Sequence, residues 1–543
     1  MGKDKRKLFI YLPMALALSI VIGIFLGSRF NVDSNHNTRF RKFNKVNEVL
    51  NYIFEEYVDS VDKSALIEGS LVSLLKDLDP HSSYISTKDL RSLSEPLEGN
   101  FEGIGIEFNI IKDTIIVISP ISGGPSEALG LEAGDRIIKI EQERVAGTGV
   151  TNKAVMNMLR GPKGTSVDIS IKRRGTTAMI DYTIIRGEIP IYSVDIAYMI
   201  NDSIGYIKIN RFSAKTHEEF VSAFKSLPKR RLNGLVLDLR GNPGGYLSAA
   251  IAVADEFLDR NQLIVYTQGK AHPKTPYEAT SSGLFKEGKI IVLIDEGSAS
   301  ASEIVAGAIQ DNDRGIILGR RSFGKGLVQE QFVFPDGSAV RLTIARYYTP
   351  TGRCIQRPYD EGLESYYRDV YKRLGNDESA ENDSSYFNDS LKFITPAGKT
   401  VYGGGGIKPD IHVSVDTVGQ SIYLRRIVNR GLINQFAFDY ADKNRKKLNT
   451  YRKVSDYDEG FSLTERELQS FYSYAMDKGV EKDERDIAVS AQLIEFRIKA
   501  YIARHIWNNE GFYPVIHHID KTLQKAVEEI QDENFSIITD KLP

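Results

Sequence analysis

Apolar positions divide the 543-residue chain into regions of different texture. Leu8–Gly27, LFIYLPMALALSIVIGIFLG, is 20 residues without a charge, enough for a helix to span a bilayer. From Arg39 to Asp59, apolar residues fall at Phe43, Val46, Val49, Leu50, Ile53 and Tyr57, the spacing of an amphipathic helix. A second helix is predicted over SALIEGSLVSLLKDLD, ending at Pro80. From Phe101 the pattern changes to short β-branched runs punctuated by glycine. IGIEFNI, TIIVISP, DRIIKIE, TSVDISI and MIDYTIIR predict strands, with short helical stretches at PSEALGL and TNKAVMNMLRG.

From Ile189 strands alternate with helices: SIGYIKI, a helix over Thr216–Leu227, GLVLDLR, a helix after Gly245, KIIVLID, a helix after Ser300, then GIILG. That alternation implies an α/β unit with mainly parallel strands. The polar, acidic stretch 376–390 predicts a surface insertion. Beyond about Thr417 the chain reads as helical, with SLTERELQSFYSYAMDKG opened by an S-x-x-E pair at Ser462 and Glu465. The expected organisation is an anchor at 8–27, a helical region at 39–95, a β-rich domain at 98–187, an α/β core at 189–415 and a helical region at 417–543. The apolar faces of the terminal helices suit core packing or assembly into a homo-oligomer.

Charge and composition narrow the choices. The formal net charge of -2 excludes a general affinity for nucleic acid. Cys354 is the single cysteine, so no intrachain disulfide forms. Lys3, Lys5, Arg6 and Lys7 precede the apolar run, which predicts an N-terminus inside and the remainder outside. No A-x-A site follows it, so an uncleaved anchor is favoured over a signal peptide.

Four segments carry candidate chemistry. In DEGSASASEIVAGAIQD, Ser300 and Glu303 have the spacing of a capping box. Ser300 is also a candidate nucleophile, because it follows a strand and opens a helix whose N-terminal dipole favours developing negative charge. In GLVLDLRGNPGGYL, Gly244 and Gly245 can leave N–H groups facing an oxyanion, or form a plain structural turn. In SFGKGLVQ, Lys325 lies between glycines that leave room at its amine; a solvated surface lysine is the alternative. In EGIGIEF, the glycines can form a nest for a carboxylate, ahead of a strand able to receive an extended peptide. Between Ile189 and Tyr348 the α/β region contains two histidines, His217 and His272, neither at a strand end. A Ser–His–Asp triad is therefore poorly supported. A Ser–Lys pair requires a lysine kept neutral by burial.

EGIGIEF together with GPSEALGLEAGDRIIKI resembles a PDZ domain over roughly residues 98–187. The likeness implies that Gly103, Ile104, Gly105 and Ile106 bind the carboxylate of a peptide C-terminus. GSASASEIVAGAIQD, SFGKGLVQ, DLRGNPGG and DGSAVRLTIARYYTPTGR resemble the carboxy-terminal processing peptidases, or tail-specific proteases, over about residues 40–415. This resemblance implies a multidomain α/β protein: a crotonase-like α/β protease core, an inserted β-rich PDZ domain and helical N- and C-terminal regions. It implies Ser300 as nucleophile, Lys325 as general base, Gln329 as the residue orienting that lysine, and Gly244, Gly245 and Ala301 as oxyanion donors. Asp311 matches a supporting polar position. No metal or cofactor is implied. The expectation is a serine endopeptidase that takes protein substrates by their C-terminal tails. It is expected to be anchored once in a bacterial inner membrane, with its catalytic part in the periplasm or cell exterior. Two other readings compete: a PDZ scaffold with a decayed protease core, and an acyl-CoA enzyme of crotonase type. Intact Ser300, Lys325 and Gln329 weigh against the first. The PDZ unit and the lack of a basic patch for CoA weigh against the second.

Overall fold

A computed structural model describes residues 16–23, 45–228, 230–375, 389–532 and 535. Its two compact units are Met1–Leu78 and Asp79–Pro543. The first contains helices Lys45–Glu56 and Lys63–Lys76, the second of them capped by the Asp62 carboxylate on the Ala65 N–H at 3.1 Å. Residues 39–44 of the first predicted helix lie outside the described residues.

The expected membrane anchor is not supported. Of Leu8–Gly27, only residues 16–23 are described, and they form a helix. Among the described residues no helix is long and apolar enough to cross a membrane. The single-pass inner-membrane location is corrected accordingly.

The second unit is built on a six-stranded sheet. In chain order its strands and the elements beside it are β1 (Val194–Met199), β2 (Ile204–Ile209), α1 (Thr216–Ser226), β3 (Gly234–Asp238), α2 (Leu247–Asp255), β4 (Leu263–Gln268), β5 (Lys289–Ile294), α3 (Ala301–Asp311), β6 (Ile316–Gly319), β7 (Leu327–Val333), β8 (Ala339–Tyr348), β9 (Ile411–His412), α4 (Glu484–Ile516) and α5 (Lys521–Gln531). The sheet order is β1-β2-β3-β5-β6-β9, antiparallel between β1 and β2 and parallel elsewhere. Every residue of β3 is buried, which explains its unbroken apolar run. Leu235 and Leu237 face a core shared with Phe220, Val253 and Val305 of α1, α2 and α3. Val236, Ile291 and Leu293 face the other way and pack on Leu523, Ala526 and Ile530 of α5. The last described helix therefore covers the second face of the central sheet. Gly234 permits that approach, since a Cβ there would lie 2.5 Å from Ile530 Cγ2.

A smaller sheet joins Ser83–Ile85, β8, β4 and Thr275–Glu278, with β7 paired to β8. The β-rich unit has its strands in the order 106–110, 115–120, 136–140, 166–172, 180–185, so Ile106–Ile110 is an edge strand. Asn100–Gly103 pairs antiparallel with Gly187–Pro190, so the chain enters and leaves this unit side by side. The helices between residues 422 and 516 share a core of their own around Ile433, Tyr457, Phe471 and Ile498. Most of their apolar positions are used within the chain, while Ile422, Val428, Met476 and Val489 stay exposed. One predicted cap shifts: Thr464 rather than Ser462 caps helix Glu465–Asp477, with Glu467 returning to its N–H at 2.7 Å. Phe461 and Leu463 are both buried, which keeps the preceding residues extended and starts the helix two residues later.

Leu523→Ala removes a side chain 2 % exposed between α5 and the sheet. It is expected to cost about 2–5 kcal/mol, read as a lower thermal unfolding midpoint. An unchanged midpoint would contradict the packing of the tail on the sheet.

Candidate active site

Ser300 lies where β5 turns into α3. Neighbouring serines fix that turn: Ser298 Oγ donates to the Leu239 carbonyl at 2.8 Å and Ser302 Oγ to the Asn242 carbonyl at 2.9 Å. Ser300 itself has φ 54° and ψ -110°, a strained conformation for a residue with a side chain. Its N–H donates to Glu303 Oε2 at 2.8 Å.

Glu303 does more than cap α3. Its carboxylate is fully buried. Besides the Ser300 N–H it accepts Ser322 Oγ at 2.5 Å, the Gly324 N–H at 2.7 Å and the Lys325 N–H at 2.9 Å. Burial raises its pKa, and these hydrogen bonds pull against that rise. Tyr347 makes a second tie, its hydroxyl donating to the carbonyls of Ser300 (3.1 Å) and Lys325 (2.8 Å). Two residues 25 positions apart in the chain are thus joined through one carboxylate and one phenol.

The Lys325 amine is removed from bulk water. Burial, followed by repulsion from Arg341, lowers its pKa to about 8. Its Nζ donates to Gln329 Oε1 at 2.9 Å. The Gln329 Nε2 donates to the His81 carbonyl at 2.6 Å, which turns the amide oxygen toward the lysine. His81 is held by Asp79, whose carboxylate accepts the N–H groups of His81 (2.8 Å) and Ser82 (2.9 Å). Burial takes the His81 imidazole down to about 3, so the ring is neutral at ordinary pH.

The glycine turn lies against Ser300. A Cβ on Gly244 would lie 2.8 Å from Ser300 Cβ and 2.9 Å from the Ala301 nitrogen. Gly244, however, is not a free donor, because its N–H is taken by Asn242 Oδ1 at 2.9 Å. This corrects the expectation for Gly244. Among the described residues the N–H groups of Gly245 and Ala301 have no hydrogen-bond partner. Gly245 is fixed by close approach, since a Cβ there would meet the Phe212 carbonyl oxygen at 1.9 Å.

Asp311 sits at the far end of α3 and does not reach this cluster. It pairs with the fully buried Arg353 at 2.5 Å and accepts Thr351 Oγ1 at 2.7 Å, which anchors the turn after β8. His217 bonds Glu256 at 2.7 Å, and His272 accepts a backbone bond from Gly269; neither meets Ser300. In the β-rich unit, Gly103 ends the stem strand, Ile104 is buried in the core, Gly105 has φ 75° and Ile106 begins the edge strand. Among the described residues the N–H groups of Ile104 and Gly105 have no partner.

Comparison with known proteins places the chain in a family. Residues 203–364 match the model of peptidase family S41, and residues 103–184 match the PDZ domain. Residues 28–89 match the N-terminal domain of the activating protease CtpB, and residues 423–508 match a family of unknown function. The carboxy-terminal-processing protease of Bartonella bacilliformis is 37% identical over 346 residues, covering 62% of this chain and 79% of that protein. CtpB of Bacillus subtilis is 37% identical over 329 residues, 60% of this chain and 67% of its own. CtpA of the same organism is 33% identical over 362 residues, 65% and 76% respectively. The chain belongs to the carboxy-terminal processing proteases.

In this S41 protease, sequence reasoning missed Tyr347 and the Asp79–Ser82 turn. DLDPHSSY reads as a helix stop, and nothing local links it to Gln329, 248 residues away from His81. For Glu303 the sequence allows a cap or a holder of the local hydrogen-bond network, and gives no sign that its donors come from two loops.

Glu303→Gln places an amide NH₂ where a carboxylate oxygen accepts hydrogen bonds. Turnover on a tailed protein substrate is expected to fall at least about tenfold, because two loops lose a common acceptor and small misplacements of reacting groups are costly. Steady-state kinetics on the folded variant check this; wild-type turnover would show that the carboxylate does not organise the site.

Proposed function

We propose that this protease captures the C-terminal tail of a polypeptide in its PDZ unit and cleaves the chain with a Ser300–Lys325 dyad. The observation that carries the reading is the Lys325 environment: a buried amine with its pKa lowered to about 8, held by Gln329 and tied through Glu303 to the Ser300 turn. A neutral amine in that position can accept the hydroxyl proton.

Lys325 takes the proton of Ser300 Oγ as the oxygen attacks the scissile carbonyl. The Gly245 and Ala301 N–H groups receive the developing oxyanion, assisted by the N-terminus of α3. Lys325 then delivers its proton to the departing amine, leaving an acyl-enzyme on Ser300. Water, deprotonated by the same lysine, releases the acid product and restores the serine. Gln329 keeps the amine pointed at its task. In the PDZ unit the tail adds to edge strand Ile106–Ile110, and its carboxylate meets the N–H groups of Ile104 and Gly105.

Ser300→Ala is expected to lower turnover by about a million-fold, while a fluorescent tail peptide binds as before. Near wild-type cleavage by that variant would reject Ser300 as nucleophile. For the base, the charged amine cannot accept a proton, so kcat/KM is expected to rise with pH through about 8. Lys325→Arg should be as inactive as Lys325→Ala, because a guanidinium stays protonated. An active Lys325→Arg variant, or a flat profile between pH 6 and about 9, would remove the lysine from the mechanism.

A further inference from the structure

The helices beyond the protease motifs reach the root of the glycine turn. Helix α4 is interrupted at Trp507 and Asn508, the latter with φ 53° and ψ -140°. After this break Tyr513 donates to Asp195 of β1 at 2.9 Å, and the chain turns into α5 through Asp520. The Asp520 carboxylate caps α5 on the Leu523 N–H at 3.0 Å. The same carboxylate takes Arg240 in a two-point pair, Nη1–Oδ1 at 3.0 Å and Nη2–Oδ2 at 2.7 Å. Arg240 also grips Asp238 at the end of β3, with Nη2–Oδ2 at 2.6 Å. Its carbonyl accepts the Lys208 amine at 3.1 Å.

This pairing sits beside the apolar contact between α5 and the sheet face of Val236, Ile291 and Leu293, where Tyr206 also donates to Asp238 at 2.7 Å. The side chains of Asp238, Arg240 and Asp520 are 2 %, 17 % and 19 % exposed. A desolvated ion pair is a weak source of stability compared with apolar packing, and its best-attested use is to fix register. Here the register is that of the segment leading directly into the turn. Gly241, the next residue, donates its N–H to Asp295 Oδ1 at 2.8 Å. The turn then runs through Asn242 to Gly244, which packs on Ser300, and Gly245, which packs on the Phe212 backbone.

We infer that Asp520 is a positioning residue for peptide-bond cleavage, holding the oxyanion turn in place through Arg240. The inference rests on the reading of Gly245 as an oxyanion donor. It makes the C-terminal helices a determinant of catalytic geometry in addition to a cover for the sheet.

The test compares four variants of the full chain at a temperature where all are folded. Asp520→Asn keeps the size and capping ability of the side chain but loses its charge. It is expected to lower kcat about tenfold to a hundredfold with KM unchanged, and to weaken a tail-peptide boronate, which mimics the oxyanion, by the same factor. Asp520→Glu should recover most of both. Leu523→Ala loosens the same helix without touching the ion pair and should keep kcat per folded molecule. Wild-type kcat and boronate affinity in Asp520→Asn would overturn the inference. So would an equal loss of kcat in Leu523→Ala, since the effect would then be general loosening. Ser300→Ala is measured alongside: undiminished cleavage there would overturn the inference at its base, by removing the site that the turn is held to serve.

Discussion

The buried carboxylate of Glu303 receives hydrogen bonds from Ser300, Ser322, Gly324 and Lys325, and the geometry of the site depends on it. Taking a carboxylate out of water costs several kcal/mol. Charge-assisted hydrogen bonds contribute about 1.5–3 kcal/mol each, so four of them offset part of that cost, helped by the N-terminus of α3, and the raised pKa is what burial leaves over. Because the donors come from two separate loops, the carboxylate is satisfied only when both loops are in place. Satisfying one buried charge and bringing the serine turn to the lysine loop are therefore the same event.

The same constraint shapes the lysine. Burial makes its neutral form accessible near pH 8, but burial alone does not aim an amine. Gln329 does, and its own orientation is set by a backbone carbonyl at His81 that comes from the far side of the smaller sheet. The central sheet supplies the platform. Its strands end at the turns that carry Arg240, Gly244 and Ser300, and its two faces are closed by α1–α3 on one side and α5 on the other.

Much of this was legible in the sequence because the relevant signals are local. The buried runs of β3 and β5, bounded by glycine, read directly as core strands. The short β-branched runs TIIVISP and TSVDISI marked the β-rich unit. The serine-rich start of α3 stands out locally, and Ser298 and Ser302 hold the turn around Ser300. What the sequence did not convey is pairwise and distant. The Gly244 N–H faces inward to Asn242, which depends on the path of the turn and not on its glycine content. The apolar run at Leu8–Gly27 was long enough on composition, yet among the described residues no helix is long and apolar enough to cross a membrane. Asp520 lies in a tail without a recognisable motif, and its partner Arg240 is 280 positions away.

The most direct test of the dyad is covalent labelling with a fluorophosphonate, with the modified residue located by mass spectrometry of the digested protein. The account predicts modification at Ser300, at a rate that rises through about pH 8 and is lost in Lys325→Ala. Labelling at a different serine, or labelling of Ser300 at a rate indifferent to Lys325, would contradict it.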